Sequence, residues 1–319
     1  MIPMNPLRKS VIALVSLAVI AFALSRIPAD AQQAFWRPAS ESAPRPAHAR
    51  VIFGGDMMFD RTVREYADRN GGDYLFACLD PIFSQADLVV ANLEGPITSH
   101  ASVSIGSLPG DSNNYTFTFP TTTAPLLFRH HVRLVSLGNN HIMNFSLPGL
   151  LETEALLDAA GVMHFGDPDK TEGERVARLS LGGIPFSFVN WSDWTSDKTD
   201  HTVAQVRAEH DAGRVTVVYA HWGDEYVAPP ARVVQLAHSF ADAGAALVVG
   251  SHPHVVLEHE TYRGVPIYYS LGNLIFDQYW NDAVSHGLLL DVAFDARGVV
   301  GIREIPVVLG RDRRTCPVL

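Results

Sequence analysis

Five apolar runs in this chain end on side chains that can hold a metal or move a proton. "RVIFGGD" stops at Asp56, "DLVVANLE" at Asn92 and Glu94, "VRLVSLGNNH" at Asn139, Asn140 and His141, "RVTVVYAH" at His221, and "AALVVGSHPH" at His252 and His254. Imidazole, carboxylate and carboxamide without a thiolate form a mixed nitrogen and oxygen donor set. Such a set suits Mn, Fe or Zn in a reactive site better than a structural zinc, for which cysteines are usual. Neutral imidazoles and ionised carboxylates are the required states, and both are ordinary near pH 7. Each residue alone has a plainer explanation. An Asp after Gly-Gly is usually a turn or N-cap residue, paired asparagines tolerate a left-handed turn, and a histidine before Trp222 can simply bond backbone. Five such endings together, one of them a His-Pro-His turn, favour a shared site.

To meet, these residues need strands whose carboxyl ends lie side by side, which is where α/β sheets bind ligands. The intervening sequence supplies them. "RTVREYADRN" predicts a helix that stops at Gly71 and Gly72, and "SHASVSIGSLPGDSNNY" predicts a polar loop followed by a short strand, "TFTF". "PGLLETEALLDAAG" opens on proline, keeps leucines at helical spacing and ends at Gly161, so it predicts a helix. "IPFSFVNW" is a further strand, followed by a polar helix over about 199–212, and "ARVVQLAHSFADAG" is an amphipathic helix. The remainder, "GVPIYYSLGN", "GLLLDVAFD" and "VVGIREIPVVL", reads as β. Alternating strands and helices with a β-rich end predict an α/β layered sandwich.

With 47% hydrophobic and 18% charged residues among 319, the chain has the make-up of an ordinary globular protein. A formal charge of −10 and no basic run argue against nucleic acid and anionic membrane surfaces as partners. Arg8 and Lys9 precede the apolar run Val11 to Leu24, and Ala29 and Ala31 follow in an A-x-A arrangement. That order predicts a secretory signal peptide over 1–31, and hence an exported, periplasmic or extracellular protein. An N-terminal anchor is the alternative, and the run is short for a spanning helix. Residues 32–48, rich in Pro, Ala and Ser, read as a loose leader, 49–310 as one domain and 311–319 as a short tail. Cys78 is read as a buried thiol on a helix and Cys316 as a free one on that tail, in preference to a bridge between positions so far apart.

Several stretches resemble the CapA-type bacterial capsule proteins, which are associated with poly-γ-glutamate synthesis and share the architecture of calcineurin-like metallophosphoesterases. They are "GGDMMFDR" (54–61), "ANLEGPIT" (91–98), "LGNNH" (137–141), "YAHWGDEY" (219–226), "GAALVVGSHPHVV" (244–256) and "YYSLGNLIFDQ" (268–278). The resemblance implies a layered αββα sandwich of the metallo-dependent phosphatase type, with one or two divalent ions. It implies that Asp56 binds the first metal, Glu94 bridges both, Asn140, His221 and His252 complete the second, and His254 returns to the first. His141 would face the substrate, protonating a leaving group or stabilising charge, with Asn140 beside it in the catalytic pair. The sequence departs from the phosphoesterase pattern in two ligands: Met58 stands where a histidine ligand is expected, and Glu94 replaces a shorter bridging acid. Asn144 also stands where capsule proteins usually carry an Asp.

Other residues are less diagnostic. Arg61 could hold a substrate carboxylate or phosphate through its planar fork, or make a salt bridge at a helix start. Trp222 is read as core, Glu225 and Tyr226 as cleft lining, and Asn273 and Asp277 as turn formers ahead of orienting roles. The expected activity is metal-dependent hydrolysis or transfer on an anionic polymer such as poly-γ-glutamate, with capsule-export membrane proteins as candidate partners. A periplasmic phosphoesterase acting on small phosphate esters and a non-catalytic polymer-binding component are the alternatives.

Overall fold

The computed structural model describes residues 48–170, 175–195 and 198–318. The expected signal peptide and all but the last residue of the leader lie outside them. Strand β1 (Ala49–Met57) shows how the layers arise. Ile52 packs outward beneath helices, while its neighbours Val51 and Phe53 pack inward against a second sheet. Successive strand side chains point to opposite faces, so a strand covered on both sides must be apolar throughout. This explains the continuous apolar runs in the sequence.

The first sheet has the order β14 (Thr315–Pro317), β13 (Gly298–Leu309), β12 (His286–Asp295), β1, β2 (Leu88–Leu93), β3 (Val132–Ser136) and β4 (Met163–Phe165), with β11 (Asn273–Ile275) paired to the end of β1. The second has the order β5 (Ala177–Leu181), β6 (Ile184–Ser192), β7 (Val215–His221), β8 (Leu247–Ser251), β10 (Val265–Tyr268) and β9 (His259–Tyr262). Strands β1 to β4 are parallel to one another, as are β6, β7, β8 and β10. Their carboxyl ends therefore form one edge in each sheet.

Val51, Phe53, Val90 and Leu134 meet Phe186, Phe188, Val217 and Val249 between the sheets. Outside the first sheet lie α1 (Arg61–Asn70), α2 (Asp80–Phe83), α3 (Thr123–Arg129) and α4 (Ser146–Ala160), which bury Val63, Phe83, Leu127 and Leu157. Outside the second lie α5 (Thr199–Asp211) and α6 (Ala231–Asp242), which bury Val206, Val233 and Phe240. The architecture is the expected αββα sandwich. Helix α4 starts two residues before Pro148 and ends at Gly161 in the left-handed conformation (φ 77°). Among the described residues no helix is long and apolar enough to cross a membrane.

Two expectations are corrected. "TFTF" is not a strand: Phe119 makes only an isolated bridge to Ile97, because the Phe117 and Thr118 N–H groups donate to the side chains of Asn144 and Asp60, each at 2.8 Å. Cys78 and Cys316 are not free thiols but a disulfide, with Cα atoms 4.9 Å apart. Cys78 sits in a turn before α2, and Cys316 lies on β14, whose antiparallel pairing with β13 brings the chain end back to it. Separation along the chain says nothing about such a return.

Candidate metal centre

The close approach of β1 and β11 sets the position of the first acid. A Cβ on Gly55 would lie 1.8 Å from the Gly272 carbonyl oxygen, so the strand can pass there only as glycine. Asp56 follows, fully buried, in register with Asn92 on one side and Asn273 on the other. The Asn92 side-chain amide donates to Asp56 Oδ1 at 2.8 Å and the His252 backbone N–H donates to Oδ2 at 3.1 Å.

All six expected ligands lie at this edge. His254 stands 3.5 Å from both Asp56 and Glu94, through Nδ1 and Nε2 respectively. His221 Nε2 is 2.9 Å from Asn140 Oδ1, and its Nδ1 is 3.9 Å from Asp56. The His252 ring centroid lies 4.9 Å from that of His221 and 5.9 Å from that of His254. Within this group Glu94, His252 and His254 offer donor atoms all within 4.8 Å of one another, a cluster suited to a metal ion.

The electrostatics point the same way. Burial raises the Asp56 pKa to about 6, and burial with the Asp56 charge raises that of Glu94 well above its ordinary value. Burial pushes His252 and His141 down to about 4, and His221 and His254 well below the usual imidazole value. Two acids that cannot ionise comfortably therefore face neutral imidazoles. Glu94 Oε1 and His252 Nδ1 are buried without a hydrogen-bond partner. A divalent cation fits this donor set, because it would ionise the carboxylates and take the orphaned lone pairs.

The backbone is strained around the same point. Arg61 (φ 47°), Tyr226 (φ 66°), His252 (φ 96°) and His254 (φ 57°) all have positive φ, a cost that tends to concentrate at functional sites. Beside the cluster opens a cavity of about 520 Å³, lined by His254, His141, Arg61, Glu225, Tyr226 and Trp280 among others, a size suited to a small substrate or one segment of a polymer.

The other predicted residues fall into place unevenly. Arg61 makes the salt bridge expected at the start of α1, with Asp277 at 2.5 Å, and it also lines the cavity between Phe117 and Phe276. His141 packs on Phe117 (4.4 Å) and meets Asn144 Oδ1 at 3.2 Å through Nδ1. Trp222 is core, as expected. Met58 is committed to the core beneath the first helix layer, with its sulfur accepting the Asp60 N–H. Asn139 is structural: it donates to Asn92 and to the Leu93 carbonyl and accepts the N–H groups of His141 and Ile142.

The reading of Asn273 and Asp277 as turn formers is corrected. Asn273 Oδ1 meets His254 Nδ1 at 2.9 Å, and its amide donates to the carbonyls of His254 and Val284, so it orients that imidazole. Asp277 accepts the Thr62 N–H and hydroxyl beside Arg61. Sequence reasoning missed Ser251, whose hydroxyl lies 2.9 Å from His221 Nδ1, and Trp194, which packs on His252. Ser251 immediately precedes the His-Pro-His turn, which is a usable signal. Trp194 follows a strand with no motif around it.

An αββα sandwich with imidazoles and carboxylates gathered at the strand ends is the class of metallophosphoesterase-like proteins. Residues 50–278 match the family described as bacterial capsule synthesis protein PGA_cap, and the chain belongs to that family. It is 31% identical over 245 residues to the PGA biosynthesis protein CapA of Bacillus subtilis, covering 72% of this chain and 63% of that protein. It is 31% identical over 256 residues to the capsule biosynthesis protein CapA of Bacillus anthracis, covering 71% and 59%. A probable polyglutamine synthesis accessory protein of Mycobacterium tuberculosis is 29% identical over 219 residues, covering 60% and 56%. The chain thus matches about three fifths of the length of these relatives.

Proposed function

We propose that the protein is an exported, metal-dependent hydrolase or transferase that acts in the synthesis, export or processing of an anionic polymer such as poly-γ-glutamate. The observation that carries this reading is the Glu94, His252 and His254 cluster, joined by Asp56, Asn140 and His221 and open to the Arg61-lined cavity. Mn, Fe or Zn bound there would supply Lewis-acid polarisation of a carbonyl or phosphoryl oxygen and activation of water. Asp56, Glu94 and His254 would hold one ion; Glu94, Asn140, His221 and His252 would hold the other. Arg61, fixed by Asp277, would anchor a substrate carboxylate or phosphate. His141, neutral at pH 7, would donate a hydrogen bond to developing charge on the substrate. The capsule-synthesis names of the relatives support the polymer, and the disulfide supports export, since such bonds persist in oxidising compartments.

The burial of Met58 in the core favours a second reading. With no imidazole at position 58, the first metal has few protein ligands, and a site that holds metal and binds polymer without cutting it fits the same residues. Metal analysis of the purified protein, followed by assays on γ-glutamyl polymer and on p-nitrophenyl phosphate esters, decides between them. Metal uptake with release of γ-glutamyl fragments supports the first reading. Uptake with polymer binding and no hydrolysis supports the second, hydrolysis of phosphate esters alone points to a phosphoesterase, and failure to bind metal removes all three.

A further inference from the structure

Two of the three histidines expected to hold metal have a polar group that fixes the ring. His254 meets Asn273 and His221 meets Ser251, each at 2.9 Å. Such partners orient a ligand imidazole and are normally part of a metal site. His252 has none among the described residues: its buried Nδ1 is the atom left for a metal, and no side chain bonds to its other ring nitrogen. It does have Trp194, whose indole centroid lies 4.1 Å from the His252 ring and 5.4 Å from the His221 ring. The turn that carries the indole is well anchored. Asp193 accepts the Gly223 N–H at 2.9 Å and pairs with Arg232 at 2.8 Å, and the Trp194 N–H donates to Ser192 Oγ. Trp194 is 44% exposed and belongs to none of the main cores, and the two imidazoles are its ring contacts among the described residues.

We propose that Trp194 is a positioning residue of the metal centre, holding the His252 ring by close, tilted ring contact (interplanar angle 53°) where the other two histidines are held by hydrogen bonds. Its indole packs tilted against His252 and edge-on against His221, the two rings that would complete the second metal, and the substrate cavity lies beside His254. Trp194, which does not line the cavity, would shield a bound ion from solvent without touching substrate. The inference rests on the metal reading above.

The test is metal retention. Mn²⁺ affinity and the rate of Mn²⁺ loss to excess chelator are measured for the full chain, together with the thermal midpoint of the metal-free form. Trp194→Ala is expected to weaken Mn²⁺ binding by about 10- to 100-fold, the usual effect of losing an outer orienting group, and to speed its release, while the metal-free midpoint stays near wild type. Trp194→Phe, which keeps a planar face, should restore most of the affinity, whereas Trp194→Leu should not. Tryptophan fluorescence of the wild type should be quenched by Mn²⁺ more strongly than that of Trp194→Phe. Wild-type Mn²⁺ affinity and release in both Trp194→Ala and Trp194→Leu overturn the inference and leave the metal reading standing. A wild-type protein that takes up neither Mn²⁺ nor Zn²⁺ overturns both.

Discussion

Glu94 is the residue at which folding and metal binding pull in opposite directions. Buried beside Asp56 and short of a partner for Oε1, it can ionise only with a cation at hand. Glu94→Gln should therefore abolish metal uptake yet raise the thermal midpoint of the metal-free protein, read by calorimetry before and after chelation. The pH dependence of that metal-free form follows from the same burial. Asp56 and Glu94 have raised pKa values when folded, so their contribution is present in acid and lost as pH rises, for Asp56 through about 6. His141, His221, His252 and His254 have lowered values, so theirs is present above about pH 6.5, the unfolded value, and lost as pH falls through the folded values, about 4 for His141 and His252. Four imidazoles outweigh two carboxyls. The midpoint of the chelated protein should fall between pH 7 and pH 5, and a rise over that range would contradict the burial described. Asn273→Ala removes the orienting group of His254 and should weaken metal binding by about 10- to 100-fold with little loss of fold, as measured by titration calorimetry.

At the level of elements, the strands and helices that carry the site were legible because burial on both faces leaves continuous apolar runs, and because α1 and α4 end on glycines with positive φ. The donors were legible for a related reason: polar side chains at the ends of apolar strands stand out. Their orienting partners were not, since Asn273 and Ser251 look like any turn residues until β8 and β11 are placed beside β1. The "TFTF" segment failed because its alternation is satisfied by side chains of Asp60 and Asn144, which no local pattern announces. Strand β8 offers a test of how tightly these elements fit. A Cβ on Gly250 would lie 2.1 Å from the Tyr269 carbonyl oxygen and 2.6 Å from the Trp222 indole nitrogen. Gly250→Ala should therefore destabilise by at least the upper end of the usual range of about 0.5–3 kcal/mol and displace His252 and His254. Denaturant unfolding and metal titration of the variant would show both losses, and a near-neutral result would mean that the strand shifts freely.

For the molecule as a whole, the bond between Cys78 and Cys316 joins the turn before α2 to the strand at the far edge of the first sheet. With two cysteines in the chain only one pairing was open, but its existence could not be read from positions 238 residues apart. Cys316→Ser, or reduction of the wild type, should lower stability by about 2–5 kcal/mol, measured by denaturant unfolding with and without reductant. An unchanged midpoint would show that pairing of β14 with β13 suffices. The same bond has a topological effect. It turns the chain from Cys78 to Cys316 into a covalent ring, with β1 and α1 on the segment that leads into it. Both the mostly exposed 99–113 loop and every donor of the metal centre except Asp56 lie within that ring. A protease that nicks the loop once would open the circle without releasing a fragment, so the two pieces would travel as one species on a gel until the sulfurs were separated.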